Sequence, residues 1–237
     1  MVGLFNQYGV KGTFHLNSGA LGRENVVTRE EVKSLYNGHE VSVHTVGHPH
    51  LAQVPRERLI AEIMEDRKEL ERLVGYPIRG MSYPFGTHTS EVADTLAELG
   101  MVYARTTASH SSYHLPERFL TWHPTTHHNN SLLERAEYFL KLPYWQGIGL
   151  FYVWGHSYEF DHDKNWGMME SICEKLATDS EIWFATNIEI YNYLQSIRQL
   201  QFTSDYTIVH NPCAQPVWIN VNGDTVKIEG GTTQKLA

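Results

Sequence analysis

The chain has 237 residues, 41% of them hydrophobic and 19% charged, an ordinary globular composition with room for one sizeable core. Its formal net charge of -8 disfavours a nucleic-acid partner on electrostatic grounds. No apolar run has the length of a membrane-spanning helix, and residues 1–7 carry neither the basic segment nor the apolar core of a signal peptide, so the chain as it stands reads as cytoplasmic and free of membrane.

Taken in order, Gly12-Thr13-Phe14-His15-Leu16 reads as a first strand. Thr28-Arg29-Glu30-Glu31 has the spacing of a capping box and opens a short helix through Tyr36. Residues 40–44 alternate polar and apolar as a half-buried strand does, and Gly47 and Pro49 then break any regular element. Residues 56–74 form the clearest helix, with Leu59, Ile60, Ile63, Met64, Leu70, Leu73 and Val74 on one face and Gly75 as its stop. Gly80-Met81-Ser82-Tyr83 is a strand leading into the turn Pro84-Phe85-Gly86. A helix over 90–99, closed by Gly100, and a strand over 101–105 follow. Ser131-Leu132-Leu133-Glu134 has capping-box spacing again and opens a helix to Lys141. The apolar run 149–154 has the composition of a strand buried on both faces. A helix over 166–177, a strand over 182–185 and a helix capped at Thr186 and running to Leu200 complete the pattern.

Strand–helix alternation of this kind implies an α/β domain with a parallel sheet, open or closed into a barrel, over residues 1–203. The texture then changes. Segments 207–209, 217–221 and 225–228 are strand-like, and Asn222-Gly223 is a hairpin turn signal. Residues 204–237 therefore read as a small antiparallel appendix.

Histidine is the compositional outlier, with 14 residues. His44 and His48 lie four apart in one tight turn after a strand, where two imidazoles can meet one cation such as zinc. The plainer alternative is a turn whose histidines bond backbone and water. His44, Pro84 and His156 all follow predicted strands, and parallel α/β folds gather catalytic groups at such strand ends. His123, His127 and His128 form a loop cluster able to recruit metal, but solvated side chains are the default there; His15 reads as packed or hydrogen-bonded. Trp145, Trp154, Trp166 and Tyr158 are candidates either for stacking on sugar faces or for the core. Asp161 and Asp163 either tune His156 or meet solvent. Cys173 and Cys213 have no metal spacing and read as free thiols.

The block His44-Thr45-Val46-Gly47-His48-Pro49, the turn Tyr83-Pro84-Phe85-Gly86 and Trp154-Gly155-His156, in that order, resemble the polysaccharide deacetylase (NodB-homology) family, carbohydrate esterase family 4. So does Tyr8-Gly9-Val10-Lys11-Gly12-Thr13-Phe14, and the likeness spans roughly residues 4–200. The resemblance implies a distorted, incomplete (β/α) barrel holding a divalent metal, commonly zinc, and removing acetyl groups from carbohydrate. It implies His44 and His48 as metal ligands and His156 as the general acid. Tyr83, Pro84, Phe85 and Trp154 would line the substrate pocket. Hydrolysis of a small non-sugar amide, or a non-catalytic glycan-binding role, are the alternatives.

Three departures stand out. The family's Asp-Asp-Gly motif, source of its general base and carboxylate ligand, has no counterpart before Tyr8, and no Asp precedes Asp66. The chain reads as lacking the family's first strand. This predicts poor activity and an exposed sheet edge, covered either by the C-terminal strands or by a homodimer contact. Ser82 stands where the family often has Arg, with Arg79 out of register. Thr121-Trp122-His123-Pro124 is the nearest approach to the fourth motif.

Overall fold

A computed structural model describes residues 1–143 and 147–236. The chain divides into two compact units, Met1–Asn187 and Ile188–Ala237. The first unit runs α1 (Val2–Gln7), β1 (Thr13–Leu16), α2 (Arg29–Leu35), β2 (Glu40–Val43), α3 (Arg56–Val74), β3 (Gly80–Ser82), α4 (Ser90–Glu98), β4 (Tyr103–Arg105), β5 (Thr126–His127), α5 (Leu132–Phe139), β6 (Val153–Trp154), α6 (Ser157–Asp163) and α7 (Trp166–Ala177).

Strands β1 to β4 pair in sequence order and all in parallel, with Thr13 opposite Glu40, Val43 opposite Met81 and Gly80 opposite Tyr103. A parallel bridge from Arg105 to Trp122 carries the arrangement on to β5, which pairs in parallel with β6. Every strand therefore ends on the same side, and the loops after β2, β3, β4, β5 and β6 converge there. Among the described residues no strand pairing joins β6 to β1, so the barrel is incomplete. Asn187 spans the gap: its N–H donates to Thr13 Oγ1 at 2.9 Å and its amide to the Tyr152 hydroxyl at 2.7 Å.

Local chemistry explains the elements. The Thr28–Glu31 capping box is present, with Thr28 N–H donating to Glu31 at 2.9 Å. Gly75 ends α3 in the left-handed region at φ 83°. The main core packs Val41, Val43, Met81 and Ala104 of the sheet under Ile63, Leu70 and Leu96 of the helices. A second cluster joins Leu132, Ala136, Phe160 and Ile172, with Leu4 and Phe5 of α1 packed against it.

Several elements differ from the sequence reading. The buried face of α3 is rotated: Glu62 and Asp66 are buried with Leu59, Ile63, Leu70 and Val74, while Met64 is exposed. The acids are tolerated because backbone N–H groups bond to them, as described below. In 149–154 only Val153 and Trp154 form strand, half-buried, because Leu150 instead donates to Tyr113 and Tyr152 accepts from Thr125 and Thr126. Residues 182–185 form no strand. Ser131 precedes α5 with φ 50° and no side-chain cap bond, so its capping box does not form. Cys173 and Cys213 are free.

The second unit begins within α8 (Asn187–Arg198) and continues with β7 (Gln201–Phe202), β8 (Ile208–His210), β9 (Val217–Val221), β10 (Asp224–Ile228) and β11 (Thr233–Lys235). Order β11-β8-β7 forms one antiparallel sheet, and β9 and β10 form the hairpin that Asn222-Gly223 signals, with φ 55° and 100° at its turn. The unit starts near residue 188 rather than 204 because Tyr193, Ile197 and Leu200 pack on Val209, Val217 and Ile228. No helix among the described residues is long and apolar enough to cross a membrane.

Candidate active site and metal centre

The His44–His48 turn begins where β2 stops. His44 N–H still bonds to Leu16 O at 3.0 Å, the last rung of the β1–β2 ladder. Thr45 and His48 then take positive φ, 69° and 57°, which is unfavourable for residues with a Cβ. The surroundings hold them there. Thr45 Oγ1 accepts from His48 N–H at 3.0 Å, and Asn17 Nδ2 donates to the carbonyls of His44 and Thr45. From below, Asp66 accepts from His44 N–H at 3.0 Å and Ser18 N–H at 2.6 Å, and Glu62 accepts from Gly47 N–H at 2.7 Å. The two buried acids of α3 thus fix the backbone of the turn. Burial pushes the Asp66 carboxyl up to about 6, against its hydrogen bonds from Ser18 and His44.

His44 Nδ1 lies 2.9 Å from Ser82 O and 2.7 Å from Ser82 Oγ. A carbonyl only accepts, so Nδ1 carries the proton and Nε2 is the open lone pair. Burial holds the imidazole neutral, its pKa pushed down to about 3, with the charges of Arg105, His48 and His156 adding to the effect and the Ser82 carbonyl opposing it. The His48 ring centroid is 4.7 Å from that of His44, at 63°, and burial depresses its pKa too. Phe85, at φ 58° and 53% exposed, stands edge-on to His48 at 4.5 Å and stacks on His50 at 3.9 Å.

His156 follows β6 on the same side of the sheet, and its charge bears on both His44 and His48. Its ring is largely exposed. Nδ1 sits 3.2 Å from Glu159 Oε1, and its backbone N–H donates to Glu159 Oε2 at 2.9 Å. Glu159 therefore orients the ring and leaves Nε2 free. Tyr158, 66% exposed, stacks on the same ring at 5.1 Å. Trp154 lies beside it, 6.1 Å from His156, with the Arg105 guanidinium 4.8 Å over the indole and Nε1 donating to Ser109 Oγ.

Residues 1–104 match the family model described as polysaccharide deacetylase. Over that stretch the chain is similar to the polysaccharide deacetylases. The fold extends the likeness. A protein from Mycobacterium smegmatis assigned to the polysaccharide deacetylases superposes with TM-score 0.63 at 15% identity, over 83% of this chain and 76% of its own. A peptidoglycan N-acetylglucosamine deacetylase gives 0.54 at 17% identity, over 81% and 79%. A carbohydrate esterase family 4 pseudoenzyme from Bacillus anthracis gives 0.51 at 13%, over 80% and 58%. At these identities the likeness is one of fold. The chain spans only 35% and 49% of the length of two other solved deacetylases, from Bacillus cereus and Streptococcus pyogenes. No curated protein matches the sequence.

In this deacetylase fold the predicted residues sort as follows. His44 and His48 sit together, and His156 follows a strand that ends on the same side of the sheet, near enough for its charge to bear on both. Tyr83 is buried, its hydroxyl donating to Leu120 O at 2.7 Å, and Pro84 is buried, so Phe85 alone of that turn presents its ring to solvent. Tyr83 supports the turn from beneath rather than lining a pocket. Trp154 is half-buried among Arg105, His127 and His156. Trp166 packs on Phe160 and donates to Asp161, and Trp145 lies outside the described residues. Asp163 accepts from Asn129, and neither it nor Asp161 is hydrogen-bonded to His156. His15 is packed, and burial holds it neutral. The expectation of solvated His127 and His128 fails: His127 is half-buried, His128 is 2% exposed, and both face Glu159.

Two residues escaped the sequence reading. Asp66 stands out in the sequence only by its position in the chain, yet an acid spaced four from Glu62 inside an apolar helix face is a usable sign. Arg105 ends a buried strand, 7% exposed, with no carboxylate at ion-pair distance among the described residues. A cation closing a strand in a parallel sheet was its signal.

A divalent ion of the kind the resemblance implies would meet these donors. His44 has the right tautomer and a partner fixing its other nitrogen, as metal-ligating histidines do. His48 adjoins it. Among the described residues the only group of three His, Cys, Asp or Glu donors within reach of one ion is His127, His128 and Glu159, so no third side chain of that kind joins the His44–His48 pair.

Proposed function

We propose that the first unit carries a metal-dependent hydrolase site for acetyl groups on carbohydrate. What supports this reading is a neutral, oriented His44 beside His48, with a carboxylate-oriented His156 after a strand that ends on the same side of the sheet. His44 and His48 would hold a divalent ion, zinc by donor chemistry. When bound, such an ion polarises an acyl carbonyl and activates water. His156, with Nδ1 on Glu159, would donate a proton from Nε2 to the leaving nitrogen or oxygen. Tyr158 and Phe85 offer exposed ring faces for the sugar, as aromatic surfaces suit pyranose C–H faces. Trp154 and the Arg105 cation would form the inner wall.

The missing third donor favours a second reading, a glycan-binding member without catalysis. One experiment separates them: acetate release from N-acetylated chito-oligosaccharide by the zinc-loaded chain, with and without His44→Ala. Release that disappears in the variant supports the hydrolase. Absence of release with retained oligosaccharide binding supports the second reading.

A further inference from the structure

The other histidine cluster lies on β5 and the first turn of α6. His127 Nε2 is 3.3 Å from Glu159 Oε2, and His128 Nε2 is 3.6 Å from the same oxygen. Two ligands on a tetrahedral zinc with bonds of about 2.0–2.1 Å stand roughly 3.4 Å apart, so both separations match edges of such a site. His128 is 2% exposed, yet neither ring nitrogen has a hydrogen-bond partner. A buried polar group without a partner is costly, a cost that an ion would relieve. Asn165 Oδ1, also buried and unpaired, lines with His128 and Asp163 a cleft of ≈ 520 Å³.

The pocket is shaped for the ring. Gly155 has no side chain where a Cβ would stand 1.9 Å from His128 Nδ1, and Phe160 stacks on the imidazole at 4.2 Å. Ordinary pairing explains only part of the cluster: His127 Nδ1 accepts from Asn129 N–H at 3.2 Å, which leaves Nε2–H to donate to Glu159, whereas neither ring nitrogen of His128 has a partner. Burial lowers the pKa of both His127 and His128 and so favours their neutral forms; His127 would ligate through Nε2 once its proton moves to Nδ1 and the Asn129 contact opens. Burial works against the charge on Glu159, but hydrogen bonds and charge from His156 outweigh it and keep the carboxylate ionised.

We propose that His127, His128 and Glu159 form a second metal site, separate from the His44–His48 pair, that takes a zinc-like divalent ion. Two imidazoles and one carboxylate suit zinc, with one coordination position left for water. Glu159 divides its oxygens: Oε2 faces the two ligand histidines and Oε1 faces His156 Nδ1. An ion on Oε2 would therefore fix the carboxylate that orients His156 and tie β5 to α6. The site stands on its own residues, whether or not the chain hydrolyses acetyl groups.

The test is zinc titration of metal-stripped protein by calorimetry, repeated with cobalt and its visible absorption. The His44→Ala/His48→Ala variant should still bind one equivalent. Adding Glu159→Gln or His127→Gln should weaken that binding by more than about 10–100-fold, the usual cost of disturbing even a supporting shell. Glu159→Gln keeps an acceptor for His156 N–H, so circular dichroism should show an intact fold. In the otherwise native chain, Glu159→Gln should remove the same single equivalent. No binding by the folded double variant, or undiminished binding after Glu159→Gln, overturns the proposal.

Discussion

Asp66 gives the sharpest test of how the His44 turn is held. Its carboxyl is fully buried, and its pKa is pushed from 3.8 to about 6. A shift of that size corresponds to about 3 kcal/mol at about 1.4 kcal/mol per pH unit. The sign follows from linkage. Well below pH 3.8 the group is protonated in folded and unfolded chain alike and contributes nothing. As pH rises, the unfolded chain releases its proton first, and above about 6 the folded chain carries a buried charge that costs the full amount. Asp66→Asn removes this titration. It also puts an amide N–H against one of two backbone donors, and Ser18 N–H is the more vulnerable, since His44 N–H keeps Leu16 O. That loss of about 1–3 kcal/mol is independent of pH. Urea unfolding of both proteins from pH 4 to pH 8 should therefore show the variant gaining roughly 3 kcal/mol relative to wild type as pH rises through 4–6. A difference in unfolding free energy that stays constant with pH would refute a buried, destabilised carboxylate under the turn.

His44 should behave in the opposite sense. With its pKa held near 3, it contributes stability above about pH 6.5 that is lost as pH falls, so His44→Gln should flatten the acid limb of the unfolding profile; parallel limbs would argue against its burial. Where acetate release is measurable, His156→Ala should lower kcat by roughly 10²–10⁴, the worth of a general acid, and Glu159→Gln should shift the pH–rate profile, with an unchanged profile removing Glu159 from the proton path. Gly86→Ala should lower the melting temperature, since φ is +70° and a Cβ would stand 1.9 Å from Thr107 Oγ1; left-handed backbone alone costs about 1–2 kcal/mol, and an unchanged melting curve would count against the turn as described.

Much of the fold was legible because periodicity and capping act locally. The Thr28–Glu31 box, the α3 stop at Gly75 and the Asn222-Gly223 hairpin formed where local chemistry put them. The His44–His48 pair was legible for the same reason, since four residues of turn bring both rings to one place. What escaped depends on contacts distant in sequence. The 149–154 run looked like a central strand by composition, but its backbone pairs with irregular segments near Tyr113 and Thr125, so only its end is regular. The burial of His128 needs Gly155, Phe160 and Glu159, all more than 25 residues away. Asp66 looked like an outlier on an apolar face because its partners, Ser18 and His44, come from other elements.

The turn itself shows how the pieces combine. Positive φ at Thr45 and His48 costs about 1–2 kcal/mol each. Against this stand bonds from Asn17 to two carbonyls, from Thr45 Oγ1 to His48 N–H, and from α3 acids to the N–H groups of His44 and Gly47. Val46 N–H adds a bond to Glu62 O. At about 0.5–1.5 kcal/mol net apiece, these outweigh the strain. None of them uses an imidazole nitrogen. The backbone shape of the His pair is therefore set by α3 and by the loop after β1, without any ligand between the rings. A ligand arriving at His44 and His48 meets a turn already formed, so its affinity depends on the donors it finds rather than on the cost of folding the loop. That places the decisive chemical question on the third donor, and it is why Asp66, which holds the turn, and Glu159, which faces three histidines, are the residues whose substitution separates structure from function here.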